Sequence, residues 1–180
     1  MAKKNTIEEA KFANELKIKL LACDSAEKLE AFLNEYEIDS LDNSGNNILH
    51  YYLNNITSFS LSWKVVIPCI LQKGLDINQK QAKGTFGRSP LHISVFAKEK
   101  EISEYLITMG ADVNSTNKTG NSIISTAVMW YREQDGYFIE LLLKHGADIY
   151  LENQSGISAI GLADSIASSD VAKFFKDFDK

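Results

Sequence analysis

The chain reads as an all-α solenoid of stacked helix–turn–helix units with β-hairpin-like tips and an N-terminal helical cap. Three observations predict it. A helix start led by glycine recurs at Gly45, Gly87, Gly120 and Gly156. A helix end of the form Gly-x-Asp recurs at Gly74, Gly110 and Gly146. Between these marks the apolar residues come in short runs at helical spacing, so each unit buries its apolar face only against a neighbour.

Composition sets the frame. With 180 residues, 44% of them hydrophobic and 24% charged, the chain has the makeup of one globular domain with a sizeable core. No apolar run reaches the roughly 18–20 residues of a membrane span. The start, Met1-Ala2-Lys3-Lys4-Asn5, leads into charged helix instead of an apolar signal core, so the expected location is cytoplasmic. A net charge of −5 argues against non-specific nucleic-acid binding, which needs a basic surface. The charge is unevenly spread. Asp24, Glu27, Glu30, Glu35, Glu37, Asp39 and Asp42 face only Lys28, whereas Lys64, Lys73, Lys80, Lys83, Arg88, Lys98 and Lys100 outnumber Asp76 and Glu99.

Residues 6–22 read as a helix, with Ile7, Phe12, Leu16, Leu20 and Leu21 near the 3.6 period. Asp24, three residues before Glu27, resembles a capping-box start for a second helix, which carries Leu29, Phe32, Leu33 and Tyr36 on one face. Residues 1–42 are thus a helical cap or a divergent first repeat. Repeats follow at 43–83, 84–116, 117–152 and 153–180, the last one capping, in a single domain over 1–180.

The helix starts are Gly45-Asn46-Asn47-Ile48-Leu49-His50, Gly87-Arg88-Ser89-Pro90-Leu91-His92, Gly120-Asn121-Ser122-Ile123 and Gly156-Ile157-Ser158-Ala159. Pro90 suits the first helical position, where its missing N–H costs nothing. Glycine suits a helix end with a left-handed backbone. Successive leading glycines are 42, 33 and 36 residues apart, so two intervals carry insertions relative to the central one. From the leading glycine to the Gly-x-Asp glycine the distances are 29, 23 and 26 residues. Extra residues therefore fall around 55–61 and 132–136, between paired helices, and a third insertion lengthens the tip at 79–85. Pro68 inside a helix predicts a kink or a late start. Asp170 is read as starting a last helix with Val171, Phe174 and Phe175 on its apolar side.

The Thr/Ser-Pro-Leu-His pattern at Ser89–His92, the 33-residue central period and the two-helix unit resemble the ankyrin repeat. The resemblance covers about three-quarters of the chain, and nearly all of it if the first two helices count. It implies a curved stack whose concave side binds another protein. It also implies that His50 and His92 make hydrogen bonds tying neighbouring turns together.

Chemistry finds little support. Asp76, Asp112 and Asp148 recur at equivalent places, so they share one environment, whereas paired catalytic carboxylates need two. There is no phosphate-binding glycine loop or Gly-x-Ser-x-Gly motif. His145 sits at a helix end, where a cation or donor suits the C-terminus, and no third ligand stands at metal spacing. Cys23 and Cys69 read as buried small hydrophobes. We therefore expect no catalytic residue, cofactor or metal, and a monomer that binds another protein but neither nucleic acid nor membrane.

Carried over position by position, the family's tip contacts fall on Ser44 and Asn46, Phe86 and Arg88, Thr119 and Asn121, and Ser155 and Ile157. Those at the end of the first helix fall on Asn54 and Asn55, Phe96 and Ala97, and Met129 and Trp130. The expected partner-binding set is Phe86, Arg88, Phe96, Asn121, Met129, Trp130, Asn54 and Asn55. Either Trp130 is presented to a partner or the insertion folds back over it. Two narrower functions are compatible with a compact acidic chain: a stoichiometric inhibitor, such as an immunity protein neutralising a toxin enzyme, or an exported host-targeting effector.

Overall fold

The structure, a computed structural model, describes residues 16–132, 135–166 and 170–176. These fall into two compact units, one up to Gly87 and one from Arg88 on. The described elements are helical, and the one β-bridge among them is an isolated pairing of Thr116 with Ser122.

In the first unit, helical backbone over 16–21 (α1) precedes α2 (Ala26–Glu35), α3 (Ile48–Asn54), a 3₁₀ turn at Ile56–Ser58 and α4 (Trp63–Gln72). Leu16, Leu20 and Cys23 form the buried stripe of the first segment, while Leu21, one step round the helix, is 36% exposed. The expected apolar face thus loses Leu21, and its members Ile7 and Phe12 lie outside the described residues. The cap of α2 is Ser25, whose hydroxyl accepts from the Lys28 amide, not Asp24. Asp24 instead forms an exposed ion pair with Lys28 at 2.7 Å. Leu29 and Leu33 are buried and Phe32 and Tyr36 half-buried, so the predicted face is present but only its centre is covered. α4 begins at Trp63 and continues across Pro68, so the late start does not occur.

The second unit contains α5 (Pro90–Phe96), α6 (Lys100–Thr108), α7 (Ile123–Met129), α8 (Tyr137–Lys144), α9 (Ala159–Ser165) and a 3₁₀ turn at Val171–Phe175. α5 packs on α6 and on α7, and α7 on α8 and α9. The core holds Leu91, Ile93, Ile102, Leu106, Ile123, Ile124, Val128 and Leu142. Val171 and Phe175 are buried as expected, but their segment is a 3₁₀ turn and the Asp170 side chain does not cap it.

In both units each repeat helix begins three residues after its leading glycine, at Ile48, Pro90, Ile123 and Ala159. An Asn or Ser caps each: the side chains of Asn47, Ser89, Ser122 and Ser158 accept the amide three residues on. Asp76, Asp112 and Asp148 do the same job three times, each carboxylate accepting the amide two residues later at 2.8–2.9 Å.

The tips share a second device. The side chains of Asp42, Asn117 and Asn153 each accept the amides two and four residues on, at 2.8–3.0 Å, folding a five-residue loop around one side-chain oxygen. Asp42 is therefore buried scaffold and not part of the acidic surface. Tips pair through amides. Asn47 donates to Gln79 and Gln81 to Asn46 in the first unit, Asn153 to Asn121 in the second, all at 2.6 Å. Close approach demands glycine at Gly45, where a Cβ would stand 2.2 Å from the Lys83 amide nitrogen. The central repeat has Gly84 at the Asp/Asn position. The repeat most regular by spacing is therefore irregular in its tip.

One helix end stands apart. α6 and α8 close with a left-handed glycine: at Gly110 the residue after the cap bonds Ile107 and Ala111 bonds Leu106, and Gly146 and Ala147 repeat this. α5 makes the same two bonds, Lys98 to Val95 and Glu99 to Ser94, with a lysine at φ 60°. That backbone costs a side-chain-bearing residue about 1 kcal/mol.

Candidate functional site

Equal helix starts dictate the site. Phe96 and Met129 both stand nine residues after their leading glycines and end α5 and α7. Because α5 packs against α7, these two ends lie side by side. Trp130 caps the end of α7. The Phe96 and Trp130 rings meet edge to face, centroids 5.3 Å apart and planes at 86°. Arg88, brought there by the Ser89–Pro90 helix start, lays its guanidinium 4.0 Å over the Phe96 ring. The three form one continuous stack, guanidinium on ring on ring.

The stack faces solvent. Phe96 is 39%, Met129 41% and Trp130 46% exposed. Trp130 is thus not covered by the described residues of the insertion, Arg132, Asp135 and Gly136. Burial, the sole cause of its shift, lowers the pKa of the half-buried Arg88 guanidinium. It stays a cation at any physiological pH.

Beside the stack, Lys98, Trp130, Arg132 and Asp135 line a small recess floored by Val95, Ala127, Phe138 and Ile139. Arg132 is anchored by donating to the Tyr131 carbonyl at 2.8 Å. Asp135 pairs with Lys100 at 3.3 Å, and Lys100 also lies 4.6 Å over the Tyr137 ring. Tyr137 is pushed up to about 12, by desolvation first and then by Glu104.

The other expected contact residues are not part of this stack. Asn121 serves the tip: its amide donates to Thr119 Oγ1 at 3.0 Å and its side-chain oxygen accepts from Asn153. Phe86 is 50% exposed but belongs to the first unit, as do Asn54 and Asn55. Asn55 is held by donating to the Tyr51 carbonyl at 2.9 Å, while Asn54 is exposed. Lys98 and Arg132 were outside the expected set. A lysine in a left-handed helix end carries no sequence signal, and Arg132 lies within a stretch whose path the repeat does not specify.

The histidines are scaffold. His92 places Nδ1 2.9 Å from Ser89 Oγ and Nε2 3.4 Å from the Asn121 carbonyl, so a proton on Nε2 satisfies both and ties α5 to the next tip. His50 completes a capping box with Asn47. His145 caps the end of α8. Among the described residues no three His, Cys, Asp or Glu side chains gather as metal ligands, and no helix is long and apolar enough to cross a membrane. Burial raises both cysteine thiols, leaving them unactivated. Cys69 is only half-buried, less than expected.

A family model described as ankyrin repeats (3 copies) matches residues 18–117 and 64–153. The chain belongs to the ankyrin repeat family. Its all-α repeat fold is therefore the ankyrin solenoid, a general protein–protein interaction module and generally a non-enzymatic one. The nuclear factor NF-kappa-B p105 subunit of Gallus gallus is 30% identical over 125 residues, 66% of this chain and 12% of that protein. A transient receptor potential cation channel subfamily A member 1 homolog of Caenorhabditis elegans is 26% identical over 139 residues, 77% of this chain and 10% of that protein. The human inhibitor of Bruton tyrosine kinase is 29% identical over 85 residues, 47% of this chain and 6% of that protein. The chain thus spans no more than 12% of the length of these relatives.

Proposed function

We propose that this ankyrin domain is a non-enzymatic module that grips one partner protein through Arg88, Phe96, Met129 and Trp130. The observation that carries the reading is the guanidinium–ring–ring stack with both of its rings exposed. Aromatic, Met and Arg side chains are enriched at interfaces, and Trp, Tyr and Arg dominate binding hot spots. The repeat itself does not require these rings, because the equivalent position in the first unit is Asn54. Phe86, Asn54 and Asn55 are secondary candidates, and Asn121 supports the tip that flanks the stack. The test compares partner capture by the wild-type chain with capture by Phe96→Ala and Trp130→Ala. A genuine partner loses at least tenfold in affinity with both variants, while their circular dichroism and melting temperatures stay near wild type. A partner held equally well by both variants sinks this surface.

A second reading, a stoichiometric inhibitor, is favoured by one observation: Glu27, Glu30, Glu35, Glu37 and Asp39 are all exposed along and after α2. In that case the acidic surface meets a basic target. Co-expression with the product of a neighbouring gene decides it, and failure to relieve toxicity counts against the idea.

A further inference from the structure

We propose that the segment captured by the Phe96–Trp130 face is acidic, with carboxylates flanking one apolar side chain, and that Lys98 selects it. This rests on the reading above that the face is the docking surface.

The first observation is strain kept beside that face. The turns after α4, α6 and α8 put their positive φ on Gly74, Gly110 and Gly146, whereas the turn after α5 puts it on Lys98. The backbone does not need a side chain there, because the two turn-closing bonds of Lys98 and Glu99 match those of Gly110 and Ala111. Glycine would close the same turn at lower cost. Left-handed backbone on a non-glycine residue concentrates at binding sites, where the side chain justifies it. Lys98 lines the recess that Trp130 and Arg132 also line.

The second observation is charge. Arg88, Lys98 and Arg132 border the rings. Of the described carboxylates there, Asp135 pairs with Lys100 and Glu99 is half-buried at the start of α6. The exposed rings supply the apolar contact, and Lys98 and Arg132, which line the recess beside Trp130, the selection. A nucleic acid fits less well: the chain is net −5 and the flanking tip residues Thr119 and Asn121 are neutral.

The experiment selects a random peptide display library on the full chain, counter-selects against Trp130→Ala, and measures the enriched peptides with purified variants. Enriched peptides should carry Asp or Glu on both sides of an apolar residue, and bind more weakly as salt rises. Lys98→Gly should raise the melting temperature by about 2–4 °C while lowering affinity at least fivefold. Lys98→Met keeps the strained backbone and the apolar stem but drops the charge. It should lower affinity by a similar factor at an unchanged melting temperature. Neutral or basic enriched peptides overturn the inference, as does no enrichment over the counter-selection. So does an affinity that Phe96→Ala abolishes but Lys98→Met leaves intact. Peptides insensitive to Phe96→Ala instead overturn the docking surface itself. Tighter binding of a single-stranded oligonucleotide than of the selected peptides also overturns the acidic-peptide reading.

Discussion

The two stretches that lengthen the helix–helix connections treat their aromatic residues differently. Between α3 and α4, Phe59 packs 5.1 Å from Tyr52 and 6.3 Å from Tyr51, and the Tyr52 hydroxyl donates to the Leu61 carbonyl at 3.2 Å. Tyr52 is 1% exposed. Every ring there is spent on sealing the added chain. Between α7 and α8, Tyr131 is the seal: it is 5% exposed, donates to Asp170, and meets the Phe174 ring at 5.7 Å. Phe174 in turn covers Gly136, where a Cβ would stand 2.0 Å from the ring. Trp130, one residue before Tyr131, is left outside that seal. Added chain is architecture when its own rings close it, and the ring that the closure leaves out is the one open to a partner.

The strongest way to break this comparison is to remove the seal of the first connection. Tyr52→Ala empties a fully buried site and strips the Leu61 carbonyl of its donor, so it should cost about 3–5 kcal/mol in urea unfolding. A cost below about 1 kcal/mol would mean that the loop holds without its ring. The second connection should respond less, because Phe174 is half-buried. Phe174→Ala should cost about 1–2 kcal/mol and speed hydrogen exchange at Tyr131 and Gly136 ahead of the α7 core. Exchange that quickens uniformly across the second unit would show that this ring supports the core and not the loop.

Much of this frame was legible because glycine acts as punctuation. Four leading glycines set four helix starts at one offset, and three Gly-x-Asp ends gave the insertions their lengths. Where two neighbouring residues could do one job, legibility failed. Asp24 and Ser25 both cap helices well, and the choice of Ser25 depends on where α2 meets its neighbours. Leu21 fits a helical period as well as Leu20 does, but only one faces the core. The Asp or Asn three residues before Gly45, Gly120 and Gly156 was not read as part of the tip, because one side-chain oxygen taking two amides shows only in the folded loop. The site was half legible. Phe96, Met129 and Trp130 stood at positions usually open to partners, and Arg88 beside a tip. That Arg88 and Trp130 meet on the same ring needed the packing of α5 on α7. Lys98 was beyond reach, since nothing in Phe96-Ala97-Lys98-Glu99 announces a left-handed lysine.

The smallest expected effect sharpens the comparison most. Trp130 is 46% exposed and, among the described residues, its one ring contact is the edge-to-face meeting with Phe96. Such a pair in solvent contributes about 0.5–1 kcal/mol, and the recess behind it is floored by Val95, Ala127, Phe138 and Ile139, which keep their own packing. Trp130→Ala should therefore lower stability by less than about 1 kcal/mol, several times less than Tyr52→Ala. A thermal or urea melt of the two variants side by side reads the ratio directly. A loss of 2 kcal/mol or more at Trp130 would make it a seal like Tyr52, and the difference between the two connections would vanish. A near-neutral melt with lost partner affinity leaves binding as the reason for a large ring in solvent at the end of α7.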